Sequence, residues 1–221
     1  MFNGFTDATI DFMWNLRFNN ERPWFNAHKE EFLECLDRPM KALAAEVLER
    51  LQAQFPDRTW YLHVSRIYRD ARRLHGHGPY KDHLWFTLRC DASRGPEIPA
   101  FFFELSPENY GFGMGFYWAR AEMMERYRRA ILGNPRELET LAARFNAQDT
   151  FQLDGKDYAR PKGDVGALLN PWFNKRVLDL SCARAHDDLL FSPALVDELV
   201  RGFAFLVPYY DYLDAIMKRA D

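Results

Sequence analysis

Tyr110–Trp118 reads YGFGMGFYW, and its period-two alternation decides the fold class. Tyr110, Phe112, Met114, Phe116 and Trp118 share one face of an extended chain, while Gly111, Gly113 and Gly115 share the other. A strand interior gains nothing from glycine except room, so something approaches the bare face closely. That is either a helix or neighbouring backbone packed against it, or a ligand for which the glycines form the floor of a groove. The GxGxG spelling is not a dinucleotide fingerprint, because no glycine-rich turn leads straight into a helix.

Working towards the N-terminus, Ala100–Leu105 is apolar on both faces apart from Glu104 and reads as an interior strand. Leu84–Cys90 alternates cleanly, with Leu84, Phe86, Leu88 and Cys90 opposite Trp85, Thr87 and Arg89; Trp60–Tyr68 is a further strand. Before residue 57 the period is helical. Thr6 or Asp7 can cap a helix through Leu16, Glu21–Leu36 carries a second stripe with Pro23 in its first turn, and Asp37 caps a third. After Trp118 the helical period returns in two helices parted at Gly133. A small hairpin around Asp154-Gly155 follows, then a strand over Arg176–Cys182 and a long final helix that Pro208 should kink or interrupt. Residues 1–56 helical, 57–118 sheet and 119–221 helices with one hairpin and one further strand make a single α+β domain. Its mostly antiparallel sheet lies in the middle of the chain, packed by N-terminal and C-terminal helices.

The 221 residues are 48% hydrophobic with 19 Phe, enough for a large core without metal or disulfide staples. A net charge of −3 argues against a general nucleic-acid binder. Cys35, Cys90 and Cys182 form no CxxC pair, and the N-terminus lacks a basic start followed by an apolar run, so a reducing, cytoplasmic compartment is expected. No stretch is apolar enough to span a membrane.

Against that acidic background, Val64–His83, VSRIYRDARRLHGHGPYKDH, concentrates Arg66, Arg69, Arg72, Arg73 and Lys81 against only Asp70 and Asp82. The expected alternation sets Arg66 with Val64 and Tyr68, and Arg69 with Ser65 and Ile67, so each arginine shares a face with inward-looking residues. A desolvated guanidinium must be paired. The partner is either an internal carboxylate such as Glu104 or Asp70, or an anionic ligand. His75, His77 and His83, with Asp70 or Asp82 nearby, are weak metal-ligand candidates whose spacing matches no zinc motif. Ser65, Ser181 and the cysteines have no recognisable neighbouring base.

Four pieces, FNNERPWFNAHKEEF at Phe18–Phe32, RIYRDAR at Arg66–Arg72, GPYKDH at Gly78–His83 and RPKG at Arg160–Gly163, resemble in order and separation the family known as domain of unknown function 2461. The resemblance spans nearly the full chain. It implies a single-domain soluble protein and brings no activity with it. Arg73, Gly76 and His77 stand where the family usually has a phenylalanine and an Asp-Lys pair, and Pro23 replaces a frequent acidic residue.

Charge and resemblance together point to a pocket for a phosphate- or carboxylate-bearing small molecule. Arg66, Arg69, Asp70, Arg72 and Lys81 would contact it, Trp24 and Tyr80 would form an aromatic wall, and Lys162 would reach in from the RPKG loop. Arg66 or Arg69 is then expected over or beside Gly111–Gly115. One alternative is a non-catalytic protein-interaction module docking through the many aromatics. Another is an enzyme acting on a phosphorylated substrate, with Asp70 or a histidine as general base. Single-stranded nucleic acid, through arginines interleaved with Tyr68, Tyr80 and Trp85, is disfavoured by the net charge. Nothing in the sequence specifies a cofactor or an oligomeric state.

Overall fold

The computed structural model describes residues 1–70, 72, 78–90 and 98–218. Helix α1 (Asp7–Phe18) begins where Thr6 turns extended and its amide donates to Thr9 Oγ1 (3.1 Å). Asp7 in its first turn and Arg17 in its last both suit the helix dipole. The expected helix over Glu21–Leu36 is instead three pieces: α2 (Arg22–Ala27), α3 (Lys29–Phe32) and a π-helical turn at Leu33–Asp37. In that turn the Arg38 amide reaches back five residues to the Leu33 carbonyl. Buried Thr9 donates its hydroxyl to the Cys35 carbonyl in the same turn (2.7 Å). The chain then enters α4 (Arg38–Gln54) without a break. Asp37, expected as a cap, has helical angles and bonds Lys41 one turn on (2.7 Å).

The strands β1 (Tyr61–Val64), β2 (Leu84–Arg89), β3 (Ala100–Leu105) and β4 (Tyr110–Gly115) follow. Helices α5 (Ala121–Gly133) and α6 (Pro135–Asn146) are parted at Gly133 and Asn134 as expected. Then come β5 (Gln152–Asp154), the short α7 (Asn170–Phe173), β6 (Asp179–Arg184) and α8 (Leu195–Lys218). The strands form one antiparallel sheet in the order β1-β2-β3-β4-β6-β5, so the α+β class with a mid-chain sheet and helices towards both termini holds. No helix among the described residues is long and apolar enough to cross a membrane.

Three further expectations change. The strand ends at Val64 rather than Tyr68, because Ser65 Oγ accepts the Trp85 amide (3.0 Å) and the chain then leaves the sheet. The hairpin at Asp154-Gly155 is not local: β5 pairs with β6, Leu153 opposite Leu180. Gly155, at φ +98°, turns the chain where a Cβ would strike the Val177 carbonyl. Pro208 lies inside α8 without ending it, held among buried Leu206, Tyr209 and Tyr210.

The chain divides into two compact units. The first comprises Met1–Cys90, Phe102–Phe112 and Ala183–Arg201. Its core sets Phe12, Met13 and Leu16 of α1 and Leu43 and Val47 of α4 among the buried residues, with Leu84, Phe86 and Leu88 of β2. Phe103 lies 5.6 Å from Phe86 and 6.2 Å from Phe5. The alternation of β2 is kept: Trp85, Thr87 and Arg89 are half-buried on the other face. Register places His63 opposite Thr87 and Tyr61 opposite Arg89 on that outer side.

The second unit comprises the described residues of Asp91–Phe101, Gly113–Cys182 and Gly202–Asp221. Here Phe101 packs against Phe203 and Tyr210, and Tyr209 against Phe145 and Trp172. The glycine face is occupied by protein. A Cβ on Gly113 would collide with the Leu180 carbonyl and Ser181, and one on Gly115 would meet Leu178 and Asp179. Of the two expected occupants, neighbouring backbone or a ligand, these two positions have backbone, that of the β6 chain. Burial, with Asp154 across the strand pair, pushes the Asp179 pKa up to about 6 against a bond with Ser181.

Two stability measurements follow from this strand contact. Gly113→Ala should cost about 1–3 kcal/mol through overpacking, seen as a thermal midpoint lower by roughly 2–4 °C per kcal/mol; an unchanged midpoint would show that β6 gives way freely. Asp179 binds its proton more tightly folded than unfolded, so its contribution is full below the ordinary value of about 3.9 and is lost as pH rises through about 6. Asp179→Asn should accordingly stabilise the chain at pH 8 relative to the parent, with the gain shrinking at pH 5.

Candidate functional site

The charged stretch is held by Asn20, just beyond α1. Its Nδ2 donates to the Tyr80 carbonyl (2.9 Å) and its Oδ1 accepts the Tyr80 amide (3.0 Å), as a neighbouring strand would. Gly78 makes room for this clamp, since a Cβ there would overlap the Asn20 amide group. The Tyr80 ring is buried and stacks on Phe25 at 4.1 Å. Residues 67–69 and 79–81 form a short antiparallel pair, with Lys81 N to Ile67 O at 2.7 Å and Arg69 N to Pro79 O at 2.8 Å.

Arg69 turns inward as its alternation with Ser65 and Ile67 implies. Its Nε donates to the Tyr80 carbonyl (2.7 Å) and its Nη2 lies 3.6 Å from Asp82. The internal carboxylate is thus Asp82, rather than Glu104 or Asp70. Asp82 also accepts Arg17 Nε (2.5 Å) and sits 3.1 Å from His83 Nδ1, while Arg17 continues to Glu108. Burial works against ionising Asp82, but the bonds from His83 and Arg17 outweigh it and hold its pKa below the usual carboxylate range. The Arg17 bond likewise lowers the Glu108 pKa.

Arg66 behaves differently. It is exposed and, among the described residues, has no hydrogen-bond or ion-pair partner. Lys81 is half-buried with its ammonium 5.6 Å from the Trp85 ring centre and, among the described residues, no carboxylate within ion-pair distance. Burial first, then the fields of Arg69 and Arg66, lower the Lys81 pKa; Glu104 acts in the opposite sense. His63, on β1, has its ring 5.3 Å from Trp85. Burial and the charges of Arg89, Lys81 and Arg66 push its pKa down. Cations from β2, the 65–70 segment and the 78–83 segment thus act on one imidazole beside one indole.

The other residues singled out in the sequence lie as follows. Asp70 bonds the Arg72 side chain (2.9 and 3.1 Å) and Arg72 is 88% exposed, so the two are a solvent-facing pair. Trp24 stacks on His28 at 4.1 Å; Phe25 of the same helix is the ring against Tyr80. Lys162 belongs to the second unit, 4.5 Å from the Tyr158 ring centre. His83 faces Asp82, and no group of three metal-binding side chains occurs among the described residues. Arg73, His75, Gly76 and His77 lie outside the described residues. The Cys35 thiol is pushed up to about 12 by burial and by Glu31, which makes it a poor nucleophile. His63, Arg89 and Asn20 went unflagged in the sequence. The alternation of β1 against β2 carries a signal for the first two, whereas nothing in its local pattern sets Asn20 apart.

A family model described as conserved hypothetical protein, DUF2461, matches residues 8–212 of the chain. No curated protein matches it.

The Asp82 junction has a pH signature. Unfolded, the carboxylate titrates near the ordinary value of about 3.9; folded, it takes a proton only at lower pH. Its stabilisation is complete above that value and drains away as pH falls through the folded pKa. Asp82→Asn should therefore cost on the order of 1–3 kcal/mol at pH 7, measured by denaturant unfolding. The gap between the two proteins should narrow towards pH 3, and a gap independent of pH would refute the ion-pair account.

Proposed function

As the chain belongs to the DUF2461 family, we propose that its RIYRDAR and GPYKDH pieces, two of the four that carry the resemblance, bind an anion, the phosphate or carboxylate of a small molecule. One observation carries the reading: Arg66 and Lys81 act on each other and on His63, yet neither has a carboxylate within ion-pair distance among the described residues. An uncompensated cationic cluster in a protein of net charge −3 is costly unless something anionic occupies it. Arg66 and Lys81 are the direct contacts in this reading, His63 a third donor when protonated, and Trp85 the flank for an apolar part of the ligand. Arg69 is a positioning residue, since its bonds run to Tyr80 and Asp82. Asp70 and Arg72 form the outer rim. We propose a cytoplasmic location from the cysteines, which form no CxxC pair.

A bound anion would offset the charges that depress His63 and Lys81, so both pKa values should rise on binding. Binding then takes up protons and strengthens as pH falls. Sulfate is the suitable probe because it does not titrate in this range. Its stabilisation of the protein, read as a thermal shift, should grow from pH 8 to pH 6 and shrink with added chloride. At ~100 times its dissociation constant it should reach about 2.7 kcal/mol. Arg66→Ala should weaken it by about 1.5–3 kcal/mol, and His63→Gln should flatten its pH dependence. Equal shifts in the parent and in Arg66→Ala would end this reading.

A further inference from the structure

We propose that Lys81 is a covalent-chemistry lysine, its amine condensing with the carbonyl group of an aldehyde or ketone that also carries the phosphate or carboxylate held at Arg66. The inference rests on the anion-binding reading and adds a reaction to it. Lysines used only for charge sit in water or on a carboxylate; Lys81 does neither. It is half-buried, pinned through its backbone amide to Ile67 (2.7 Å), and has no carboxylate within reach among the described residues. Two guanidiniums, Arg69 and Arg66, bear on it. The Trp85 face and Glu104 favour the ammonium, but burial and the two arginines outweigh Glu104 and lower its pKa. Desolvation beside a second cation is the established physical route to a nucleophilic lysine amine.

The step balances without an oxidant or reductant. The ammonium gives one proton to solvent, and the free nitrogen lone pair attacks the carbonyl carbon. The two remaining nitrogen protons and the carbonyl oxygen then depart as water, leaving a neutral C=N bond to Nζ. Holding the substrate's anionic group on Arg66 would make the attack effectively intramolecular; it would offset the arginines' share of the lowered Lys81 pKa but not that of burial, the larger cause. His63, whose pKa is lowered by burial and the same cations, lies beside the same indole.

The test is reductive trapping on the intact protein. Pyridoxal 5′-phosphate with cyanoborohydride at neutral pH should modify Lys81 several-fold faster than the exposed Lys29, Lys41 and Lys156, counted by peptide mass spectrometry. Inorganic phosphate should slow Lys81 alone. Lys81→Arg should abolish the fast label, and a cooperative thermal unfolding transition of the variant shows that it folds. If Lys81 reacts no faster than the exposed lysines while phosphate still stabilises the protein, the covalent role is wrong and the anion site stands. If pyridoxal and its phosphate label Lys81 equally, with no protection by phosphate, the anion site and the assigned substrate class fall together.

Discussion

The arrangement of charged groups depends on one two-way hydrogen bond, the Asn20 amide closing on the backbone of Tyr80. A side chain that donates and accepts at one residue fixes both position and rotation of the segment it grips. Here that segment carries Lys81 and Asp82 on the next two positions. Tyr80 is therefore a structural post: its carbonyl also takes Arg69, and its ring closes on Phe25. Without the clamp the 79–82 run would keep its two backbone bonds to the 67–69 segment and would be tied to α1 through Asp82 and Arg17. Glycine at 78 is part of the same device, being the only residue that leaves space for the amide group.

The two arginines that looked alike divide the work. Arg69 is neutralised internally by a carbonyl and Asp82, which costs little desolvation because each donor has a fixed acceptor. Arg66, three residues earlier on the opposite side of the segment, stays in water with its charge uncompensated among the described residues. The structural and functional roles of a basic motif are thus assigned by alternation. Holding one guanidinium firmly keeps the other's backbone still.

Much of the architecture was legible from period alone. Leu84–Arg89 and Tyr110–Gly115 needed nothing beyond alternation, and Gly133 marked the break between two helices correctly. The errors arose where a distant segment overrode local chemistry. Asp154-Gly155 has the composition of a hairpin turn, but the strand partner is β6, some twenty-five residues on. The glycines of β4 announced a close neighbour without saying which, and at 113 and 115 it proved to be backbone. At the charged stretch, composition located the cations but could not show which of them Asp82 would neutralise. His63 was hidden because a lone histidine on an exposed strand looks inert until register sets it beside Trp85.

The π turn at Leu33–Asp37 has a consequence for how this part of the chain can vary in length. It holds one residue more than a regular helical turn, and Thr9 caps the Cys35 carbonyl within it. Deleting a residue there would let the backbone close into an uninterrupted α-helix, locally the more comfortable state. It would also rotate everything before it by about 100° around the axis relative to α4. Phe25 would swing away from Tyr80, and Thr9 would face a carbonyl already bonded within the helix. The irregular turn is a phase adjuster: it lets a helix that packs against α1 and one that packs on the sheet share a single continuous axis.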